Sequence, residues 1–138
     1  MIRRATPADL ELLERLEQAA FPDHWSRETL RRALENSAYL VLFSDDLGFL
    51  LGWHTGEEAE LARLGVLESQ RGRGRGIALV LQGLEEWKSR GVSSVFLEVR
   101  ASNGGAIRLY ERAGFEEIAR RANYYANGEE ARVMRRGV

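Results

Sequence analysis

The stretch from Gln70 to Leu79, QRGRGRGIAL, constrains this chain more than any other. Arginine alternating with glycine fits either a disordered nucleic-acid-binding tail or an ordered loop, and the flanks choose between them. Repeats of the first kind sit in low-complexity surroundings without apolar periodicity. Here AELARLGVLES precedes the segment, and Ile77, Val80, Leu81, Leu84 and Trp87 follow it at helical spacing, closed by Gly91. A loop between a strand and a helix N-terminus is an anion site, because the first-turn N–H groups lack partners within the helix and the dipole favours negative charge. Gly72, Gly74 and Gly76 let the backbone approach an anion and take positive φ, while Arg71, Arg73 and Arg75 add charge and donors. Phosphate is the natural ligand. The alternative is a solvated turn whose glycines serve geometry alone. A P-loop is excluded, since no Gly-Lys-Ser/Thr ending is present. A dinucleotide fingerprint fails in both frames: Ile77 or Leu79 stands where the third small residue belongs.

The chain has 138 residues, the size of one domain, and residues 1–138 are expected to form a single one. No apolar run approaches the ~20 residues of a membrane helix, and the start, MIRRATPADLELL, has no signal-peptide core, so a cytoplasmic protein that does not engage a membrane is expected. A net charge of −1 makes a broad nucleic-acid face unexpected and leaves the loop arginines as a local device. Without cysteine there is no thiolate zinc site and no cysteine acyl-enzyme, and His24 and His54 are too isolated to suggest a metal. Chemistry must therefore come from carboxylates, hydroxyls and backbone.

IRRA reads as a short strand. Thr6, Pro7 and Asp9 form a helix-start signal, and Leu10, Leu13, Leu16 and Ala20 continue at helical spacing until FPDHW breaks the pattern. Ser26 and Glu28 open a second helix running to about Asn36. YLVLF, the turn from Asp45 to Gly48, and FLLGWH predict a β-hairpin. EAELARLGV is a further strand whose alternation is interrupted at Leu61 and Ala62. VFLEV is a strand covered on both faces, Ser102 or Asn103 caps a short helix ending at Gly114, and FEEIAR and ARVMRR complete the strands. The result is an α/β layer fold without repeats or a linker.

The pattern Arg71-x-x-Gly74-x-Gly76 resembles the Q/R-x-x-G-x-G/A signature of the GNAT N-acetyltransferase superfamily. LEVRASNGGAIRLYERAGFEE is similar to that family's next strand and helix, and RANYYANGEEARVM to the C-terminal hairpin of the RimI type, the ribosomal-protein-alanine N-acetyltransferases. The likeness covers residues 58–134 closely and the N-terminal helices loosely, through PDHWSRETL. It implies the GNAT fold, a mixed and mostly antiparallel sheet with helices on both faces. It also implies an acetyl-CoA-dependent N-acetyltransferase without a metal, acting on the α-amine of a protein, a small-subunit ribosomal protein in that subfamily, by direct attack through a tetrahedral intermediate. By the same likeness Arg71, Gly72, Arg73, Gly74, Arg75, Gly76 and Ile77 cradle the pyrophosphate, Leu64, Gly65 and Val66 offer backbone N–H groups beside a cleft, and Asn103 contacts the cofactor. Glu98 matches the catalytic glutamate, a general base, and Tyr110 the general acid.

The residues by themselves agree with these roles. Glu98 is the one charged side chain within VFLEV, a setting that favours a carboxyl's neutral form. Asn103, Ile107 and Tyr110 share a helix face. An α-amine with a pKa of about 7.8 is already roughly one-tenth neutral at pH 7, so a modest base suffices. Asp23, Glu129 and Glu130 are candidates for attracting a basic second residue of an acceptor peptide. Two other readings stand beside this one: a GNAT enzyme acting on a small amine such as a polyamine, amino acid or aminoglycoside, and a cofactor-binding interaction module without catalysis.

Overall fold

The computed structural model describes residues 1–138. β1 (Ile2–Arg4) leads through a single 3₁₀ turn, Pro7–Asp9, into α1 (Leu10–Ala20), then α2 (Arg27–Glu35). The strands β2 (Tyr39–Ser44), β3 (Gly48–Thr55) and β4 (Glu58–Val66) form a meander, and α3 (Arg75–Ser89) crosses to β5 (Ser94–Arg100). α4 (Gly104–Arg112), β6 (Glu116–Arg121) and β7 (Ala131–Gly137) complete the chain. The seven strands form one sheet in the order β1-β2-β3-β4-β5-β7-β6, and β4 with β5 is its parallel pair. This is the mixed and mostly antiparallel sheet with helices on both faces that the sequence implies.

Local chemistry sets the boundaries. The Asp9 carboxylate accepts from the Thr6 backbone N–H at 2.7 Å, closing the capping box ahead of α1. Its bidentate partner Arg3 holds its pKa down at about 2. Ser26 caps α2 by accepting from the Thr29 N–H at 3.2 Å. Asn103, rather than Ser102, caps α4, accepting from the Ala106 N–H at 3.2 Å. α3 gives way to β5 at Gly91, whose φ of 87° only glycine adopts freely.

After a half-buried Tyr39, Leu40 to Phe43 are buried throughout because both sheet faces are covered. Leu40 and Leu42 point, with Leu50, into a core under α3 and α4, while Val41 and Phe43 point, with Phe49 and Leu51, into a second core under α1 and α2. No helix is long and apolar enough to cross a membrane.

The irregularity foreseen at Leu61 and Ala62 is a β-bulge. Leu51 of β3 pairs with Arg63, and Gly52 with Leu61, leaving Ala62 unopposed. The facing position must be glycine: a Cβ on Gly52 would lie 2.3 Å from the Glu60 carbonyl oxygen and 2.6 Å from the Trp87 ring. Beyond the bulge β4 leaves β5, and the two strands pair only over Glu58–Glu60 with Ser94–Phe96, although both continue. Gly52→Ala is expected to lower stability by about 1–3 kcal/mol through overpacking against backbone and indole, measured by urea denaturation.

Candidate active site

The parting of β4 and β5 opens a gap in the middle of the sheet. On one side of it Leu64, Gly65 and Val66 pair with β3, and their other edge has no strand beside it. Gly65 itself is fixed by packing, since a Cβ there would come within 2.8 Å of Ala20 and Phe49.

The Arg-Gly loop lies at the end of β4 and runs into α3. Gly72 and Gly74 have φ of 77° and 81°, Gly74 is the helix N-cap, and a Cβ on either would meet nothing within 4 Å. The space above the helix N-terminus is therefore open, and the first-turn N–H groups of α3 face it with no intrahelical acceptor. Such a cradle fits the pyrophosphate of coenzyme A.

The arginines and the third glycine divide differently from the sequence expectation. Arg71 turns back and donates from Nε to the Val66 carbonyl at 3.0 Å, locking the loop onto the strand end. Arg75 reaches the β2–β3 turn, donating to Ser44 Oγ at 3.1 Å and Asp45 Oδ2 at 2.8 Å. Both side chains are spent within the fold, which leaves Arg73 as the exposed one without a partner. Gly76 does not face the cradle: a Cβ there would lie 2.9 Å from Leu109 Cδ1, so its smallness lets α3 and α4 touch. Ile77 packs beside it on the core under α3 and α4. Asn103 spends its side-chain oxygen on the α4 cap.

Glu98 and Tyr110 lie on opposite faces of the sheet. Leu97 and Val99 join Tyr110 in the core beneath α3 and α4, so strand alternation turns Glu98 toward the α1–α2 face. The Tyr110 ring packs edge-on to Phe115 at 5.8 Å between centroids, and burial pushes its phenol above the ordinary value. It keeps its proton throughout the physiological range, as a donor must. Glu98, for its part, shares its face with Phe96 and with polar groups, because Val95, Leu97 and Val99 of VFLEV point the other way. Its Oε2 is buried without a hydrogen bond and lies 4.0 Å from Arg121 Nε. The Tyr124 phenol faces the Glu98 carboxylate, which raises the Tyr124 pKa.

The rim of the gap on the Glu98 face is held by a feature that no sequence pattern announced. Arg63, just past the bulge, donates to the Asp23 carbonyl at 2.9 Å and pairs with Glu17 at 2.8 Å. Its guanidinium lies 4.3 Å from the centre of the Phe21 ring and 5.1 Å from that of Trp25. Glu17, fully buried, also accepts from the Trp25 N–H at 3.0 Å. One ion pair thus ties the FPDHW loop to β4. Across the gap the β6–β7 hairpin carries Tyr124 and Tyr125, with Arg100 4.0 Å over the Tyr125 ring. The acids of that hairpin are not free to attract a peptide. Glu129 accepts from the Ser102 N–H at 2.8 Å and pairs with Arg100 at 3.2 Å, and Glu130 lies 3.9 Å from Arg120 and 3.8 Å from Arg132.

Residues 10–115 match the Acetyltransferase (GNAT) family, and the chain belongs to it. It is an acetyl-CoA-dependent N-acetyltransferase. The [ribosomal protein bS18]-alanine N-acetyltransferase of Salmonella typhimurium is 37% identical over 131 residues, 91% of this chain and 88% of that protein. The ribosomal-protein-S18-alanine N-acetyltransferase of Escherichia coli has a solved structure that superposes with a TM-score of 0.89 at 32% identity, covering 100% of this chain and 93% of that one. Ard1 from Thermoplasma volcanium superposes at 0.88 with 29% identity, covering 100% and 97%.

Two outcomes follow from the packing. Arg63→Ala, which strands the buried Glu17 carboxylate, is expected to cost about 3–5 kcal/mol in chemical denaturation. Gly76→Val is expected to lower the melting temperature by wedging α3 from α4, whereas Arg73→Ala should leave it unchanged.

Proposed function

We propose that residues 1–138 act as one cytoplasmic acetyltransferase domain that moves an acetyl group from acetyl-CoA to the N-terminal α-amine of a protein, a ribosomal protein beginning with alanine. The observation that carries the acceptor is the extended likeness to the bS18-alanine enzymes, 37% and 36% identical over 91% and 85% of this chain. The geometry supports the chemistry: a carboxylate stands beside the gap on one face of the sheet, and a protonated phenol lies on the other.

The loop from Arg71 to Ile77 holds the pyrophosphate through backbone N–H groups, with Arg73 adding charge. Leu64, Gly65 and Val66 present their unpaired edge to the pantetheine arm and the thioester carbonyl, where fixed backbone donors stabilise developing negative charge. Asn103 serves the same cofactor wall indirectly, by fixing the start of α4, the helix that carries Tyr110. Acetyl-CoA, when bound, supplies an activated acetyl group and leaves as the thiol of coenzyme A.

The acceptor amine enters on the α1–α2 face between the FPDHW loop and the β6–β7 hairpin. Glu98 takes its proton there, directly or through a water. At pH 7 an α-amine is already about one-tenth neutral, but a lysine side chain with a pKa of about 10.4 is neutral only about four times in ten thousand. Tyr110 gives its proton to the departing sulfur on the other face. A phenol near 10 is a weaker acid than a thiol near 8.5, and burial at Tyr110 widens the gap, so the transfer to sulfur is uphill and is completed by the return of a proton from solvent to the Tyr110 oxygen.

Tyr110→Phe keeps the ring packing and removes the hydroxyl. Its kcat is expected to fall about 10- to 1,000-fold with the acetyl-CoA KM little changed; full activity would return Tyr110 to a packing role. An alanine-starting peptide should be acetylated, and blocking its α-amine should abolish turnover even when lysines remain. Efficient acetylation of the blocked peptide, or of spermidine in its place, would move the enzyme to another acceptor class.

A further inference from the structure

Glu60 is a carboxylate that the mechanism above does not use. It is the last β4 residue to pair with β5, opposite Phe96, and so stands at the point where the gap begins. On the other side it pairs with Trp53 of β3. Ala59 and Leu61 lie in the core beneath α3 and α4, so Glu60 projects from the opposite face, the one that bears Glu98. Glu98 stands two residues beyond Phe96 on β5, diagonal to Glu60 across the parting strands.

Glu60 has no ion-pair partner within 4.0 Å; Arg121 lies 4.0 Å from Glu98, while on the same face Arg63 is taken by Glu17 and Arg135, beside Phe96, by Ser94. The groups facing Glu60 from the neighbouring elements are Glu98 on β5, Arg121 on β6 and Tyr124 in the hairpin. Burial and the Glu98 charge raise the Glu60 pKa, and Arg121 offsets only part of this. Two carboxylates, flanked by an indole and a phenyl ring, thus stand beside an opening in the sheet with Arg121 at 4.0 Å from one of them and no ion pair to the other. A small cation placed between them relieves the repulsion and meets aromatic walls suited to it.

We propose that Glu60 is a second acceptor-binding carboxylate, which together with Glu98 seats the cationic α-ammonium of the incoming chain between Trp53 and Phe96. The proposal rests on the N-terminal acceptor assigned above. Glu98 takes the proton from the seated ammonium, and Glu60 keeps its negative charge beside the amine until that transfer, so its contribution falls on capture of the acceptor and not on attack.

The test is steady-state kinetics of Glu60→Gln and Glu60→Asp with an alanine-starting peptide at pH 7 and pH 9. At pH 7, Glu60→Gln is expected to raise the peptide KM about tenfold or more, with the acetyl-CoA KM unchanged and kcat reduced far less. Glu60→Asp, which keeps the charge, should recover part of the loss, and it carries the test alone if the Gln variant folds poorly. Above the amine pKa of about 7.8 the acceptor is mostly neutral, so the penalty at pH 9 should shrink. A purely structural role would not follow the protonation of the substrate. Equal peptide KM in parent and variants, or a penalty of the same size at both pH values, overturns the proposal while leaving N-terminal acetylation standing. A parent enzyme inactive on the peptide overturns the acceptor assignment itself.

Discussion

The bulge at Ala62 is the constraint on which the site depends. A regular β4 would pair with β5 along its whole length and close the sheet. One unopposed residue bends β4 away after Glu60, exposes the backbone edge at Leu64 to Val66 and opens the sheet between its two cores. Gly52 and Trp87 are the other half of this arrangement, because the indole occupies the space that a side chain at position 52 would take. The strand therefore bends over a rigid support, and the opening is a property of the folded core and not of a mobile segment.

Polar side chains then fix the loops around the opening. Arg71 and Arg75 anchor the two ends of the glycine loop, to the end of β4 and to the β2–β3 turn, so that only the backbone between them and Arg73 face the anion site. The Glu17–Arg63 pair does the same for the rim on the α1–α2 face, at greater cost if broken, since Glu17 has no solvent to fall back on. Around the opening, charge is used first to hold backbone in place.

The order of elements, the caps at Thr6, Ser26 and Asn103, and the break at Ala62 could be read from the sequence because each is written in neighbouring residues. Glu98, Tyr110 and the glycine loop stood out for the same reason. What could not be read depends on which way a side chain turns after long-range packing. Arg71 and Arg75 look like Arg73 in the sequence, yet Val66 and Asp45 capture them. Gly76 looks like a cofactor glycine, yet Leu109 lies where its side chain would be. Glu98 sits in an apolar run, but alternation turns Val95, Leu97 and Val99 away from it. Glu60 passed unnoticed in EAELARLGV because its relation to Glu98 exists only once β4 and β5 are side by side; the single signal available was a carboxylate just before the break in the alternation.

The short β4–β5 contact has a mechanical meaning as well. β1 to β4 form one antiparallel plate and β5 to β7 another, and within the sheet only the rungs from Glu58–Glu60 to Ser94–Phe96 join them. The joint lies at one end of the opening, so the two plates meet like the arms of a pair of tongs, with α3 linking their ends. A small change in the angle between them alters the aperture most at Val66 and Arg100, farthest from the joint, and disrupts few hydrogen bonds. Substitutions at the joint will thus be felt at its far end, where the jaws grip, and those at the far end will stay local.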